Sequence, residues 1–323
     1  MRHIPVLLTE VMEGLNLMPG AKVVDGTLGD AGHAEKILEK IGPKGKLLGI
    51  DADPESLLRA KQYLYNWHDQ IIFVRDNFVN LKKIIQENKF GMVNAILLDL
   101  GWSSPQFEER GRGFSFQKDE GLDMRYSPNV IPAKAGIRDS LGQIPAFAGM
   151  TNGTASELVN EASVDELTRI FHIYGEEKFA GEIAAAIGEA RRVQLIEKTG
   201  QLVEIILAVY RQMLHTDKDI PRMGNIHPAT KVFQALRIAV NNELDVIKQT
   251  LPQALECLAP GGRLAVITFH SLEDRIVKQY FAGQENKTIK LVNKKPITAS
   301  DTELTANPRA RSAKLRVVER LSS

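Results

Sequence analysis

Four short segments, apolar except for charged residues at some of their ends, lie in the first hundred residues, and helix-like segments separate them. They cover residues 22–25, 47–51, 71–74 and 95–98. Strands that are apolar along their whole length are typical of a parallel sheet covered by helices on both faces. One connection also carries a clear helix start, since Asp53 can act as an N-cap before Pro54 and an acidic first turn. The pattern predicts an α/β fold.

The alternation stops between residues 106 and 222, where we expect helices and loops but no strand. Ser163-x-x-Glu166 has the form of a capping box. Strand character returns at Arg263–Phe269, and two further strands are expected at 287–292 and 314–319. The later helices are expected at 163–175, at Glu176–Arg192, from a Thr199 cap through Leu214, and from Pro228 through about Lys248.

The predicted architecture is therefore a doubly wound α/β sheet that is interrupted after its fourth strand by an all-helical insertion. Residues 1–105 and 222–323 form the sheet-bearing domain, and residues 106–221 form the inserted one. Within the insertion, residues 130–151 contain the imperfect repeat IPAKAGI and IPAFAGMT. The two copies can be encoded by a DNA inverted repeat, which suggests a translated inverted-repeat element inserted in the gene. We expect a surface excursion without a catalytic role; a functional lid is the alternative.

Composition excludes several classes of protein. With 25% charged and 43% hydrophobic residues, the 323-residue chain has the balance of a globular protein rather than of a disordered or fibrous one. No uncharged apolar run reaches the roughly 18 residues of a membrane span, so we expect a cytoplasmic protein. The single cysteine, Cys257, excludes an intrachain disulfide and is expected in the core. The histidines lack ligand spacing, and no metal site is assigned.

Positive charge is concentrated at the C-terminal end. Residues 287–323 contain nine Lys or Arg and three Asp or Glu, against a net charge of +1 for the whole chain. Such an end can bind a polyanion. A solvated basic face without a ligand is the alternative.

A glycine-rich turn follows the first strand, in the sequence Asp25-Gly-Thr-Leu-Gly29-Asp-Ala-Gly32-His33. Ligands bind at the carboxyl ends of the strands in such sheets, and glycine lets the backbone approach them closely. The spacing differs from the G-x-G-x-x-G dinucleotide fingerprint. Asp51 ends the second strand, where an acid can accept hydrogen bonds from both ribose hydroxyls of a nucleoside. Together these features favour a nucleoside cofactor.

Further polar groups follow the fourth and fifth strands, at the same expected edge. Asp99 precedes the turn Ser103-Ser104-Pro105, which can present a carboxylate and main-chain carbonyls to an amino group. A strand-end Asp satisfied by turn amides is the alternative. Phe269-His-Ser-Leu-Glu-Asp-Arg275 supplies several titratable groups, but Ser271 could equally be a helix cap with Glu273 and Asp274 in the first turn.

At these motifs the sequence resembles the RsmH (MraW) family of ribosomal small-subunit methyltransferases. The ordered blocks that carry the resemblance cover nearly the whole chain except 130–151. They are HIPVLLTEV (3–11), DGTLGDAGH (25–33), DLGWSSPQF (99–107), RGFSF (112–116), GLDMRYS (121–127), YGEEKFAGEIA (174–184), HPATKVFQALRI (227–238), GGRLAVITFHSLEDRIVK (261–278) and NPRARSAKLR (307–316).

The resemblance implies a Rossmann-like, S-adenosylmethionine-dependent methyltransferase sheet with a helical insertion that recognises the substrate. The implied reaction is methylation of N4 of a cytidine in the decoding (P-site) region of 16S rRNA within the small ribosomal subunit. The implied cofactor-contacting residues are Ala31, Gly32, His33, Asp51, Phe78, Asp99 and Gln106. Asp30, Trp102 and Phe107 depart from the family pattern.

Combining residues and resemblance, we expect Asp99, Ser103, Ser104 and Pro105 to hold the target amine during catalysis. The basic C-terminal end and Arg112, Arg125, Arg191 and Arg192 are expected to contact phosphates. Two alternatives stay open at this point: a methyltransferase acting on DNA or another amine, and a noncatalytic RNA-binding assembly factor. A homodimer is also left open.

Overall fold

The computed structural model describes residues 4–101, 111–126, 153–218, 220 and 226–322. The chain divides into two compact units. The first comprises Met1–Gly101 and Leu244–Ser323, and the second comprises Trp102–Glu243. The helix Ala229–Asn241 thus belongs to the second unit, whereas the sequence boundaries at 105/106 and 221/222 place it with the sheet. The assignment of a functional role to each part stays a prediction.

A seven-stranded sheet forms the centre of the first unit. Its strands lie in the order β3-β2-β1-β4-β5-β7-β6. The first five are parallel, and β7 is antiparallel to both β5 and β6. The doubly wound, Rossmann-like sheet predicted from the sequence is confirmed. The strands are β1 (Lys22–Asp25), β2 (Lys46–Asp51), β3 (Ile71–Arg75), β4 (Val93–Asp99), β5 (Leu258–Thr268), β6 (Ile289–Leu291) and β7 (Lys314–Arg320).

Neighbouring residues of the central strands pack into two different cores, one on each face of the sheet. Val23 of β1 belongs to one core with Leu47 and Leu97. Val24, the next residue, belongs to the other core with Leu48 and Leu98. Because both faces are buried, both sets of side chains must be apolar, which accounts for the continuous apolar strands in the sequence.

Helices cover both faces of the sheet. Asp53 caps α3 as predicted, because its carboxylate accepts hydrogen bonds from the backbone N–H groups of Glu55 and Ser56 and Pro54 is the first helical residue. Cys257 is buried at the end of a helix, as expected. The helices of the first unit are α1 (Leu8–Leu15), α2 (Gly32–Ile41), α3 (Pro54–Tyr63), α4 (Leu81–Glu87), α10 (Glu243–Cys257), α11 (Ser271–Gln284) and α12 (Asp301–Ala306). Of their residues only Glu243, the first residue of α10, belongs to the second unit.

In its described residues, the second unit is helical around its own apolar core, in which Phe171 is fully buried. The Ser163–Glu166 capping box is present and its helix ends at Gly175, as predicted. No helix in the described part of the chain has the length and apolarity to cross a membrane. The helices of this unit are α5 (Ala155–Glu161), α6 (Val164–Gly175), α7 (Ala180–Val193), α8 (Thr199–Met213) and α9 (Ala229–Asn241).

Four helix predictions were wrong in detail. The helix expected at Glu176–Arg192 begins only at Ala180, because Glu176 is the left-handed C-cap of the preceding helix α6. The long helix from Pro228 is two helices, because Asn242 adopts a left-handed backbone conformation with φ of 50° between them. Thr199 is the first residue of α8 rather than its cap, since its hydroxyl bonds to Lys118 and Glu120 of a distant loop. Ser271 likewise begins α11, and His270 is the cap.

Candidate functional site

The strand order reverses between β1 and β4. β2 and β3 lie on one side of β1, whereas β5 lies beyond β4. At such a switch point the connections leave in opposite directions and open a crevice outside the carboxyl ends of the strands. The last residues of β1 and β4 are Asp25 and Asp99, and β2 ends with Asp51. Three adjacent strands therefore place a carboxyl group at this edge.

The glycine turn, Gly26–Gly32, connects β1 to α2. Gly29 and Ala31 both have positive φ, 50° and 61°, so the backbone is left-handed at two of three successive residues. A side chain at Gly32 would place its Cβ atom 2.4 Å from Cγ of Pro5, which explains the need for glycine there. The turn carries Ala31, Gly32 and His33, which are predicted cofactor contacts, at the start of α2.

Asp51 is held by the glycine turn and by its own loop. Its Oδ2 accepts a hydrogen bond from the Gly29 N–H at 2.8 Å, and its Oδ1 accepts one from the Asp53 N–H at 2.8 Å. Burial raises the pKa of Asp51 from 3.8 to about 6, although these backbone donors favour the charged form. Asp53 is occupied as the cap of α3, so Asp51 is the available acid at the end of β2.

One carboxylate oxygen of Asp99 has no hydrogen-bond partner in the part of the chain that the structure describes. Oδ1 of Asp99 is buried and accepts no hydrogen bond from the described residues. The backbone N–H of Asp99 donates to the hydroxyl oxygen of Thr27 at 2.7 Å, which fixes the end of β4 against the glycine turn. Burial, followed by the charges of Asp25 and Glu273, raises the pKa of Asp99 to about 8. An orphaned buried oxygen of this kind calls for a ligand donor or cation.

His33 lies on the other side of the Asp99 carboxylate. Its Nε2 donates a hydrogen bond to the Val6 carbonyl at 3.0 Å, and its Nδ1 is 3.7 Å from Oδ2 of Asp99. Because a carbonyl can only accept, the proton of a neutral imidazole belongs on Nε2. The Nδ1 lone pair then faces Asp99. The structure thus brings the predicted residues His33 and Asp99 together.

Asp25 is the site residue that sequence reasoning passed over. It is 1% exposed, and its Oδ1 accepts a hydrogen bond from the Thr27 N–H at 3.1 Å. Burial and the charge of Asp51 raise its pKa to about 7. The sequence did contain a signal for Asp25. Asp25 ends β1 and Asp51 ends β2, and acids at the ends of two neighbouring parallel strands lie side by side. Thr27 was missed for lack of any such signal.

Phe78 begins a short 3₁₀ helix, Phe78–Asn80, just after β3. Asp76 and Asn77 shape the approach to it: Asp76 Oδ1 accepts from the Asn77 N–H, and the Asn77 side chain caps Val79. The backbone of Asp76 also donates to the Asp51 carbonyl at 3.2 Å. Phe78 therefore follows the strand next to β2, on the side of the sheet edge where Asp51 lies.

The residues after β5 are used mainly to begin α11. Oε2 of Glu273 accepts hydrogen bonds from the backbone N–H groups of Phe269 and His270, at 2.7 and 3.3 Å. Asp274 forms an ion pair with Arg316, with Nε 2.7 Å from Oδ1. The helix-start interpretation of this motif is confirmed, with His270 as the cap. Glu273 still contributes negative charge at Asp99.

Asp30, the departure from the family pattern, has an arginine partner. Its Oδ1 lies 2.8 Å from Nε of Arg59 in α3, and a second guanidinium nitrogen of Arg59 donates to the Ser56 hydroxyl at 3.2 Å. This pair ties the glycine turn to α3. A positive group accompanies the acid here, so Asp30 does not simply add a further negative charge to the edge.

Several predicted residues lie outside the described residues. They are Trp102, Ser103, Ser104, Pro105, Gln106, Phe107 and the segment 130–151.

The arginines predicted to contact phosphates are engaged within the second unit. Arg191 donates to the carbonyls of Val159 and Ala162, at 2.8 and 2.7 Å, where α5 ends. Arg125 forms a two-point ion pair with Asp123. Arg192 pairs with Glu189 at 2.9 Å. The fourth arginine, Arg112, donates to the Arg125 carbonyl at 3.3 Å. The contacts of Arg191 and Arg125 give these two side chains a structural role that sequence reasoning did not anticipate, whereas the Arg192–Glu189 pair is exposed.

Comparison with known proteins gives one consistent result. The model of the MraW methylase family matches residues 1–135 and 148–321. A protein of Heliobacterium modesticaldum named ribosomal RNA small subunit methyltransferase H is 42% identical, with 99% of this chain and 98% of that protein aligned. Proteins with the same name from Dehalococcoides mccartyi and Coxiella burnetii are each 41% identical over 99% of this chain and over 86% and 99% of their own lengths.

Proposed function

The chain belongs to the MraW methylase family, and on this basis we propose that it transfers a methyl group from S-adenosylmethionine to ribosomal RNA of the small subunit. The name shared by the relatives supports rRNA as the substrate class. We further propose that the acceptor atom is N4 of a cytidine in the decoding region of 16S rRNA. The RsmH resemblance of the sequence motifs supports this finer assignment.

The observation that carries the site is Oδ1 of Asp99, which is buried and has no hydrogen-bond partner among the described residues. It lies at the switch point together with Asp25 and Asp51, whose pKa values are also raised. Three carboxyl groups that resist ionisation in the free protein form a favourable environment for a cation. S-adenosylmethionine supplies a methyl group on a positively charged sulfonium when bound. The residues present therefore fit this cofactor.

The cofactor-binding roles follow from position. Asp51, at the end of β2, would accept hydrogen bonds from the ribose hydroxyls. Ala31, Gly32 and His33 would present the backbone of the glycine turn to the methionine part, and Phe78 would lie beside the adenine. Asp99 completes this set at the end of β4, together with Gln106.

Asp99 would also act on the amine. The lone pair of a cytidine N4 is delocalised into the ring, which makes the nitrogen a poor nucleophile. A carboxylate that accepts its N–H bonds favours the pyramidal nitrogen, whose lone pair can attack in line. Main-chain carbonyls of Ser103-Ser104-Pro105 are proposed to share this role. Correct positioning supplies much of the rate in such a displacement, and the base must be unstacked to reach the site.

The helical unit is proposed to recognise the rRNA, while the sheet-bearing unit holds the cofactor. This division is supported by the concentration of the predicted cofactor residues in the sheet-bearing part of the chain. It assigns the all-helical insertion a role in selecting the substrate.

Mass spectrometry of 16S rRNA from cells with and without this gene tests the proposal. We expect one N4-methylcytidine in the decoding region that disappears on deletion and returns with the wild-type gene. In vitro, tritiated methyl should transfer to isolated small subunits and not to duplex DNA. Transfer to DNA alone would replace the substrate assignment. Full complementation by Asp99→Ala without methylation would favour a noncatalytic assembly factor.

A further inference from the structure

A short 3₁₀ helix, Pro308–Ser312, lies at the same sheet edge as the candidate site; we refer to it as the arginine turn. It immediately precedes β7, which is antiparallel to β5. Lys314, the first residue of β7, pairs with Thr268, the last residue of β5. The arginine turn therefore enters the sheet where β5 leaves it, at the carboxyl edge that also carries Asp99.

The turn is fixed to the N-terminal segment, which in turn contacts the glycine turn. Asn307 donates from its side-chain amide to the Ile4 carbonyl at 3.2 Å, and the Leu7 N–H donates to Oε1 of Glu303 at 2.7 Å. The same segment accepts the hydrogen bond from His33 through Val6. The backbone on which the arginines sit is thus joined by successive contacts to the start of α2.

Packing divides the turn into a buried and an exposed face. Ala310 and Ala313 are each 1% exposed and belong to the same core as Ala31 of the glycine turn. Ala310 lies within the 3₁₀ helix, and Ala313 is the extended residue that directly follows it. Arg309 and Arg311 lie off this buried stripe and are exposed. The small alanines anchor the turn, and the two guanidinium groups extend from it.

Neither arginine has an acidic partner among the described residues, in contrast to other arginines of the same unit. Arg316, which follows the turn in β7, pairs with Asp274, and Arg263 of β5 pairs with Glu319. Arg309 and Arg311 form no such ion pair within the described ranges. A guanidinium group matches a phosphate with two parallel N–H donors, and a fixed backbone lowers the entropy that binding costs.

We propose that Arg309 and Arg311 form a phosphate-binding clamp that holds the sugar–phosphate backbone of the RNA strand beside the target nucleotide. The proposal rests on the proposed function. Within the basic C-terminal end, it assigns the phosphate contacts to two side chains. Phosphate contacts fix the register of a nucleic acid without reading its sequence. A clamp at the edge that carries Asp99 would position the strand from which the target base is extruded.

The test compares two variants with the same change in charge. Arg309→Gln/Arg311→Gln removes the clamp. Lys40→Gln/Lys44→Gln removes two exposed charges from the end of α2 and the loop before β2, at the opposite edge of the sheet. Each protein is assayed for thermal unfolding, for S-adenosylmethionine affinity, and for affinity for a single-stranded 16S rRNA fragment of the decoding region over a range of salt concentrations.

We expect the clamp variant to bind the fragment about tenfold more weakly, with a salt slope less negative by about 1.4, or about 0.7 per lost single-strand phosphate contact. Its thermal unfolding and cofactor affinity should match those of the wild type. The lysine variant should differ from the wild type by less than about twofold.

Equal RNA affinity and equal salt slope in the two variants would overturn the clamp. So would unchanged affinity for the RNA fragment combined with weaker binding to whole small subunits, since that result would assign the arginines to a ribosomal protein. If the wild-type protein binds the fragment but methylates no small subunits, the proposed function fails, while the binding comparison still decides the clamp.

Discussion

Replacing Asp99 by Asn separates the effect of this buried acid on protein stability from its effect on methyl transfer. The substitution keeps the shape of the side chain and the backbone hydrogen bond to Thr27. It removes the ionisable group and offers an amide N–H toward Nδ1 of His33, which is 3.7 Å from the present Oδ2. We therefore expect the variant to fold well and to differ from the wild type in a pH-dependent way.

The expected magnitude follows from the pKa of Asp99, which burial raises from 3.8 to about 8. Between these values the folded protein holds a proton that the unfolded chain has lost. The contribution of Asp99 to the free energy of unfolding must then fall as pH rises, by at most about 1.4 kcal/mol per pH unit, and level off above pH 8. Because 23% of the side chain remains exposed, solvent reduces this cost, and we expect Asn to recover about 1–3 kcal/mol at pH 8.

Thermal and urea unfolding of the cofactor-free protein from pH 4 to pH 9 would measure the effect. Wild type and Asp99→Asn should have similar free energies of unfolding near pH 4. As pH rises, the variant should become progressively more stable than the wild type. Asp217→Asn is a matched control, because Asp217 is exposed in the second unit and forms no ion pair with another described residue. Its pH profile should follow that of the wild type.

The same variant should lose activity. Single-turnover methyl transfer is expected to fall at least about a hundredfold, or about 2.7 kcal/mol, while RNA affinity stays within about threefold. A pH profile identical to that of the wild type would refute the burial argument. A collapse of RNA affinity with an unchanged single-turnover rate would make Asp99 a docking residue instead of a catalytic one.

Four further predictions concern the same site and its surroundings. Asp51→Ala should weaken S-adenosylmethionine binding by about 1.5–3 kcal/mol in calorimetry; unchanged affinity would contradict the ribose assignment. Thr27→Val should cost about 1–2 kcal/mol of stability and slow methyl transfer, because the Asp99 N–H loses its acceptor at 2.7 Å, and Thr27→Ser should restore both. Cofactor binding near pH 7 should release protons, since a cation lowers the raised carboxyl pKa values; calorimetric enthalpies that do not depend on the ionisation enthalpy of the buffer would argue against this. Residues 130–151 contain the internal gap in the family match, 136–147. Their excision should leave cofactor affinity and methyl transfer within about threefold, because closing a longer segment costs only about 0.6 kcal/mol per doubling of its length. Methyl transfer that is a hundredfold slower would show that the segment has been recruited to RNA binding.

The sheet was predictable because its strands are buried on both faces. A residue such as Val23 and its neighbour Val24 must both be apolar, so the strands stand out from the helices without any three-dimensional information. The Asp53 and Ser163 caps were predictable for a different reason, since each makes its hydrogen bonds to residues two or three positions away. Local chemistry of this kind is fully contained in the sequence.

The wrong helix caps depend on contacts or chemistry that local patterns do not encode. Thr199 has the side chain of a cap, but a loop 79 to 81 residues earlier in the chain uses its hydroxyl instead. His270 acts as a cap through Nδ1, which accepts from the Glu273 N–H at 3.4 Å. Histidine is not among the usual N-cap residues, so the pattern favoured the adjacent Ser271. Tertiary contacts and a less common cap therefore set these boundaries.

The site shows the same limit on a larger scale. Asp25, Asp51 and Asp99 each end a strand, and each taken alone has an ordinary interpretation as an acid satisfied by turn amides. Only the strand order β2-β1-β4 makes them neighbours. Because they are adjacent, the three acids interact electrostatically: the charge of Asp51 raises the pKa of Asp25, and the charge of Asp25 raises the pKa of Asp99. Mutual repulsion among buried carboxylates opposes folding unless they bind protons or a cation offsets their charge. The arrangement that makes this edge costly in the free protein is thus the one that favours binding of a sulfonium cofactor.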